Sequence, residues 1–183
     1  MRRTVWVFLI IAVLGGAAIA QAQRTEKMFR IGFLDASTAS GIAVLSEEFR
    51  QELSRLGWVE GKNIAFEYRF AEQKNERLPE LAAELVRLKV DLIVATGGPP
   101  ALAAKKATTI IPIVMTNVGT AVALGLVASL ARPGGNVTGL SSLSPELNSK
   151  RLEILKDTVP RLTRVGVLRE PAGVTGNLQL EEI

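Results

Sequence analysis

Leu92-Ile93-Val94-Ala95-Thr96-Gly97-Gly98 is the stretch on which the reading of this chain turns. Leu92 to Ala95 is wholly apolar and too short for a globular helix. With no polar face, it reads as a strand covered on both sides at the centre of a parallel sheet. Thr96-Gly97-Gly98 ends the run, and a helix is predicted across Pro100 to Ala107. Strand, tight turn and helix in this order form half of a β-α-β unit.

Upstream the same alternation appears. Arg30 to Asp35 is strand-like and Ala36 to Gly41 is a loop. From Ile42 to Leu56, the residues Leu45, Phe49, Leu53 and Leu56 recur at spacings of three and four, which puts them on one helical face before Gly57 closes the helix. Asn63 to Phe70 alternates, with Ile64, Phe66, Tyr68 and Phe70 opposite Ala65, Glu67 and Arg69, as a half-exposed outer strand does. Pro79 fits the first turn of the next helix, where its missing N–H costs little, and Leu81, Leu85 and Leu88 form its buried stripe.

Downstream, a strand is predicted at Ile113 to Met115, a helix across Ala123 to Leu130, a strand at Val137 to Leu140 and a helix from Pro145 to Thr158. Val165-Gly166-Val167-Leu168 resembles the opening strand of another unit. Arg169 to Ile183 has no sustained apolar period and reads as a loose tail. Strands separated by helical crossovers imply an α/β fold with a parallel sheet flanked by helices.

The first residues bear on compartment. Met1, Arg2 and Arg3 precede an apolar run from Val5 to Ile19, and small residues follow at Ala18-Ile19-Ala20 and Ala20-Gln21-Ala22. This is the pattern of a cleavable signal peptide, taken here as residues 1–22 with cleavage after Ala22 preferred to Ala20. An uncleaved anchor needs about 20 apolar residues. This run is shorter, contains Gly15-Gly16, and is followed by Gln21, Gln23 and Arg24. The chain has no cysteine, so neither a disulfide framework nor a lipid-modified cysteine is available, and a soluble, exported, periplasmic product is expected. About 160 residues then remain, enough for one compact domain. The formal charge of +4 falls to +2 when Arg2 and Arg3 leave with the leader, and the remaining Lys and Arg are interleaved with acids. A nucleic-acid partner is therefore not expected.

The chain also has no histidine, which with the missing cysteine removes Ser-His and Cys-His nucleophile pairs, His-liganded zinc and imidazole acid–base chemistry. Glu47-Glu48 and Glu181-Glu182 read as solvated surface. Gly57-Trp58-Val59-Glu60-Gly61-Lys62-Asn63 superficially resembles a phosphate loop. It is one residue short, has Asn63 in place of Ser or Thr, and joins a helix to a strand rather than the reverse. No G-x-G-x-x-G follows the first strand, so a dinucleotide site is unsupported. Asn136-Val137-Thr138 matches a glycosylation acceptor, a tripeptide common by chance. Neither catalytic residues, nor a metal, nor a cofactor is assigned.

What remains is a binding surface. In open parallel sheets ligands sit outside the carboxyl ends of the strands. Ser37 and Thr38 follow the first strand, Thr96, Gly97 and Gly98 the third, Thr116 and Asn117 the fourth, and Ser141 and Ser142 the fifth. These are the candidate ligand-binding residues, although Ser, Thr, Asn and Gly are also the ordinary choice for caps and turns. Asp35 is the one charged side chain among these loops, so recognition through hydroxyls and backbone amides of a carboxylate-bearing small molecule is expected. Trp58, the only tryptophan after the leader, is the expected fluorescence reporter of binding.

Several stretches carry a family likeness: Arg55-Leu56-Gly57-Trp58-Val59-Glu60-Gly61-Lys62-Asn63-Ile64, Glu67-Tyr68-Arg69, Leu78-Pro79-Glu80-Leu81-Ala82-Ala83-Glu84-Leu85-Val86, Ile111-Pro112-Ile113-Val114, and above all Leu130-Ala131-Arg132-Pro133-Gly134-Gly135-Asn136-Val137-Thr138-Gly139. With these the chain resembles ABC-transporter substrate-binding proteins of the tryptophan-binding-like group from about Met28 to Leu168. The resemblance implies a type I periplasmic binding protein: two Rossmann-like lobes that close on a solute and present it to an ABC permease in the inner membrane. It implies a small amino-acid-like or other carboxylated solute. On this reading residues 28–158 are the N-terminal binding lobe and 159–183 the crossover into a second lobe that is cut short. Weak or no solute affinity is then expected of this chain alone. Two other readings stay open, a ligand-sensing partner of a membrane receptor and an inactive fragment. Where the family usually has a small residue and Asp-Pro before Val122, this chain has Gly119-Thr120-Ala121, which removes a carboxylate and a rigid turn.

Overall fold

The computed structural model describes residues 27–119, 121–142 and 147–166. The leader and the tail expected at 169–183 lie outside the described residues. In chain order the elements are β1 (Phe29–Asp35), α1 (Ala43–Arg55), β2 (Ile64–Phe70), a single 3₁₀ turn (Asn75–Arg77), α2 (Leu78–Arg87), β3 (Leu92–Thr96), α3 (Gly98–Ala107), β4 (Ile113–Val118), β5 (Val137–Ser141) and α4 (Asn148–Thr158). The five strands form one sheet in the order β2-β1-β3-β4-β5, and every pairing is parallel. The α/β class read from the alternation is thus the fold of this chain.

Side-chain alternation divides the sheet into two unequal faces. On one face Leu34, Ile93, Ala95, Ile113, Met115 and Val137 pack beneath α2 and α3, joined by Leu81, Leu85, Ala101 and Ala104. Gly32 also points this way. A Cβ there would lie 3.0 Å from Leu85 Cδ2, so the missing side chain lets α2 approach the centre of the sheet. On the other face Ile31, Phe33, Ile64 and Val94 are buried with help from Phe49 and Leu53 of α1, and Phe66, Tyr68 and Phe70 stack along β2 beside them.

The stripe predicted for α1 is only half used. Phe49 and Leu53 meet the sheet, but Leu45 and Leu56 are 70% and 69% exposed and α1 has no fully buried residue. Phe49 and Leu53 pack against a cluster drawn from β1, β2 and β3, and the rest of the stripe stays at the surface. By contrast Leu81 and Leu85 of α2 are buried and Leu88 is partly so, with Pro79 in the first turn, as the sequence predicts.

Three other predicted elements differ. No helix forms across Ala123 to Leu130: the chain runs through turns, with Gly125 at φ +66°. Its apolar residues are nonetheless core, since Leu126 and Val127 are buried under α3, and Lys105 Nζ donates to the carbonyls of Gly125 and Leu126 that a helix would have satisfied internally. The Leu130–Asn136 stretch that follows is a compact turn in which Ala128 N–H donates to the Pro133 carbonyl and Arg132 N–H to Ser129 Oγ. Val165 and Gly166 lie in no strand, and Val167 and Leu168 lie outside the described residues. The last helix is seen from Asn148, with 143–146 outside the described residues.

Two loops explain motifs that invited other readings. Asn63 holds the α1–β2 connection: its Oδ1 accepts Val59 N–H at 2.7 Å and its Nδ2 donates to Gly57 O at 2.8 Å. Asn136 Nδ2 donates to the carbonyls of Thr108 and Ile111, so the amide that a glycan would occupy already ties the α3–β4 loop to β5.

Two contacts, one in the β4–β5 pairing and one at the start of β1, give tests of stability. Gly139 on β5 sits at φ +140°, and a Cβ there would lie 2.0 Å from the Met115 carbonyl oxygen. Gly139→Ala is therefore expected to cost at least about 3 kcal/mol, read as a shifted midpoint in urea unfolding; a loss below about 1 kcal/mol would refute the close approach. At the start of β1, Lys27 Nζ donates to Asp91 at 2.8 Å and Arg30 N–H at 2.9 Å, and these bonds hold the Asp91 carboxyl below its ordinary range. A depressed carboxyl stabilises the fold above the unfolded pKa and loses that contribution as pH falls through the folded one. The stability gap between wild type and Asp91→Asn should be widest near neutrality and close as pH falls below about 4; a gap that is flat with pH contradicts the pairing.

Candidate functional site

A sheet in the order 2-1-3-4-5 reverses direction between β1 and β3, and ligands of such folds sit in the crevice outside the strand ends at that point. Register brings the candidate residues together there. Asp35 closes β1 directly opposite Thr96 of β3, Thr96 is opposite Thr116 of β4, and Val118 is opposite Ser141 of β5. Asp35, Thr96 and Thr116 share the face that α1 half covers, because they follow Phe33, Val94 and Val114 at strand periodicity.

Hydrogen bonding separates residues with structural partners from residues with capacity to spare. Thr38 holds its own turn: its Oγ1 accepts Gly41 N–H and lies 3.1 Å from Ser40 Oγ. Ser37 donates both its N–H and its hydroxyl to Asp35 Oδ1 at 2.6 Å. Ser141 Oγ and Ser142 N–H both donate to the Val118 carbonyl, stitching β5 to the end of β4. Thr116 Oγ1 reaches Thr96 Oγ1 only at 3.4 Å, a long bond at a half-exposed position. Thr116 and Asn117, expected in a loop, lie within β4, which runs on to Val118. A register shift against β5 puts Asn117 at φ +55°, and its side chain is exposed at the rim.

The N-terminus of α3 supplies one donor. Gly97 adopts φ +88° before the helix and gives its N–H to the Thr116 carbonyl at 2.8 Å. Pro99 and Pro100 have no N–H, and Ala101 N–H is already turned to Gly97 O. Gly98 is buried, and its N–H has no acceptor among the described residues. A buried amide without an acceptor at the positive end of a helix is suited to an anionic oxygen.

A cavity of about 310 Å³ opens at this edge, walled by Phe33, Phe49 and Val94 with Asp35, Thr96 and Thr116 on its polar side. A second, of about 360 Å³, lies at the opposite end of the strands between Phe29, Leu53 and Trp58. Trp58 packs edge-on to Phe29 at 5.5 Å, so its fluorescence reports on the α1–β2 connection rather than on the candidate edge. Burial raises the Tyr68 hydroxyl above its usual range, but Tyr68 belongs to the aromatic row along β2 and not to the cavity wall. Among the described residues no cluster of His, Cys, Asp or Glu could hold a metal, and no helix is long and apolar enough to cross a membrane. Asp35 and the apolar residues Phe33, Ile42, Leu45, Phe49 and Val94 line this cavity but were not singled out from the sequence as ligand-binding. The position of Asp35 at the end of an apolar strand was the available signal.

The fold is an open parallel α/β sheet with a cavity at the strand ends, the place where such sheets hold small molecules. The sequence profile of the ABC transporter substrate binding protein family matches residues 40–182, and the chain belongs to that family. It is 33% identical over 160 residues to a Tyrosine-binding protein of Clostridioides difficile, covering 87% of this chain and 46% of the relative. Among solved structures it is similar to a conserved domain protein from Vibrio cholerae, with a TM-score of 0.66 at 32% identity over 74% of this chain and 45% of that one. It is also similar to the ligand-free, open form of CD0873, a substrate binding protein with adhesive properties from Clostridium difficile, with a TM-score of 0.64 at 30% identity over 85% of this chain and 52% of that one. The chain thus spans about half the length of the relatives it matches.

These bonding patterns predict a contrast. Ser141→Ala removes a donor from the Val118 carbonyl and should cost about 1 kcal/mol of stability. Thr116→Val, nearly the same shape, should cost less than about 0.5 kcal/mol. Urea unfolding of both variants checks this; a larger loss from Thr116→Val would make that hydroxyl structural.

Proposed function

We propose that this chain forms one wall of the solute-binding cleft of an ABC importer's substrate-binding component, exported by its leader to the periplasm. There it holds a small amino-acid-like solute for delivery to an inner-membrane permease. The observation that carries the reading is the buried Gly98 N–H, without an acceptor among the described residues, next to the half-exposed Thr96 and Thr116 hydroxyls at the switch point of the sheet. These groups supply donors for a carboxylate, while Asn117 stands at the rim. A relative described as binding tyrosine supports an amino acid as the solute. Of the residues the sequence nominated, Thr96, Gly98, Thr116 and Asn117 are assigned to the solute. Ser37, Thr38, Gly97, Ser141 and Ser142 are assigned to shaping the edge. Residues 28–158 are assigned to this lobe, and 159–183 to the crossover into a second one.

One wall gives fewer contacts than a closed cleft, so the affinity of this chain alone should be near or weaker than about 1 mM, equivalent to about −4 kcal/mol. Titrating isotope-labelled protein with L-tyrosine, L-phenylalanine and L-tryptophan should produce saturable amide shifts at Gly97, Gly98, Thr116 and Asn117. If none of the three moves these resonances, the reading fails.

A further inference from the structure

Among the described residues that line the cavity at the candidate edge, Asp35 is the one charged side chain, and its surroundings give it more than a loop-forming role. The residue is only 5% exposed. Both donors that reach it, the N–H and the hydroxyl of Ser37, converge on Oδ1. Oδ2 has no donor among the described residues, and no Lys or Arg there pairs with this carboxyl. A buried carboxylate oxygen without a partner is costly, since burial removes water without replacing its hydrogen bonds. Asp35 lines the cavity of about 310 Å³, whose apolar walls are the rings of Phe33 and Phe49 with Ile42, Leu45 and Val94.

We propose that Asp35 is the anchor for the protonated amine of the solute, with the aromatic wall taking an apolar group attached to that amine. The inference deepens the reading above and rests on it for the location of the ligand, but concerns a different end of the molecule. Register makes the two ends compatible. Asp35 is paired with Thr96, two residues before Gly98, so the proposed acceptor for a cation closes one strand and the proposed donors for an anion follow the strand next to it. An α-amino acid carries both charges on one carbon. Phe33 and Phe49, with ring centroids 6.3 Å apart, form a surface on which an aromatic side chain packs in tilted geometry. A hydrogen bond between the ammonium and Oδ2 would be charge-assisted and shielded from water, the setting in which such bonds are strongest.

Three probes separate the parts: phenethylammonium has the amine only, 3-phenylpropionate the carboxylate only, and L-phenylalanine both. Each is titrated by NMR into wild type, Asp35→Asn and Ser37→Ala. Asparagine keeps an Oδ1 that accepts both Ser37 donors, so the turn survives while the free oxygen becomes an NH₂ group that repels a cation. Asp35→Asn should weaken phenethylammonium and L-phenylalanine by about tenfold or more and leave 3-phenylpropionate within about twofold. Ser37→Ala should leave all three nearly unchanged. Equal weakening of all three probes by Asp35→Asn, equal binding of phenethylammonium to both forms, or no phenethylammonium binding to wild type each overturns the inference. If phenethylammonium depends on Asp35 while 3-phenylpropionate moves no resonance from Thr96 to Gly98, the inference stands and the carboxylate site proposed above falls.

Discussion

The parallel pairing of β1 with β3 is the constraint on which the rest of the molecule depends. It joins the two most apolar strands, Ile31-Gly32-Phe33-Leu34 against Leu92-Ile93-Val94-Ala95, and fixes Asp35 opposite Thr96 at the end of the ladder. Neighbouring parallel strands must be connected by crossovers. The chain therefore leaves β1 through α1 to reach β2 on one side, and returns through α2 to β3 on the other. The reversal of direction opens a gap between the loops that follow β1 and β3, and the polar residues of both strand ends face it. The binding crevice is thus a consequence of strand order.

The two faces of the sheet meet their hydrophobic requirements differently. Under α2 and α3 the packing is dense: Leu34, Leu85, Ile93 and Ile113 are fully buried, and Gly32 gives up its side chain so that Leu85 fits. Opposite, Phe49 and Leu53 of α1 pack on the sheet, and the aromatic row of Phe66, Tyr68 and Phe70 is half exposed. Rigidity on one side and open apolar surface on the other suit a wall against which a ligand can bury area without first displacing packed side chains. The α2–α3 face then maintains the geometry of the strand ends while the α1 face contributes contact surface.

Most of this architecture was legible in the sequence because strands and long amphipathic helices carry their period in the side chains. Leu92 to Ala95 could only be a central strand, and Leu81, Leu85 and Leu88 placed α2 correctly. Ala123 to Leu130 was not legible: its apolar residues are buried as they would be in a helix. What prevents the helix is a left-handed Gly125 and a lysine from α3 that satisfies two carbonyls, both tertiary facts. The exposure of Leu45 and Leu56 likewise depends on how much of the sheet α1 can reach. At the candidate site, residue type pointed to one edge of the sheet but not to the division of bonding within it. Ser141 and Thr116 are equally good hydroxyl donors in sequence. Only the register shows that one closes on the Val118 carbonyl while the other has just a long contact to Thr96.

The replacement of the family's usual Asp-Pro by Thr120-Ala121 bears on the same edge. With Thr120-Ala121 there is no carboxylate at these two positions after β4, and the carboxylate that lines the cavity at this edge is that of Asp35 at the end of β1. Its position also differs in kind, because Asp35 belongs to a core strand and is 5% exposed, held by Ser37 on one oxygen and open on the other. A counter-charge fixed in the sheet loses little conformational entropy when it meets a ligand, whereas one on a loop must first be ordered. The position of this carboxylate is therefore fixed by the same β1–β3 pairing that sets the strand order.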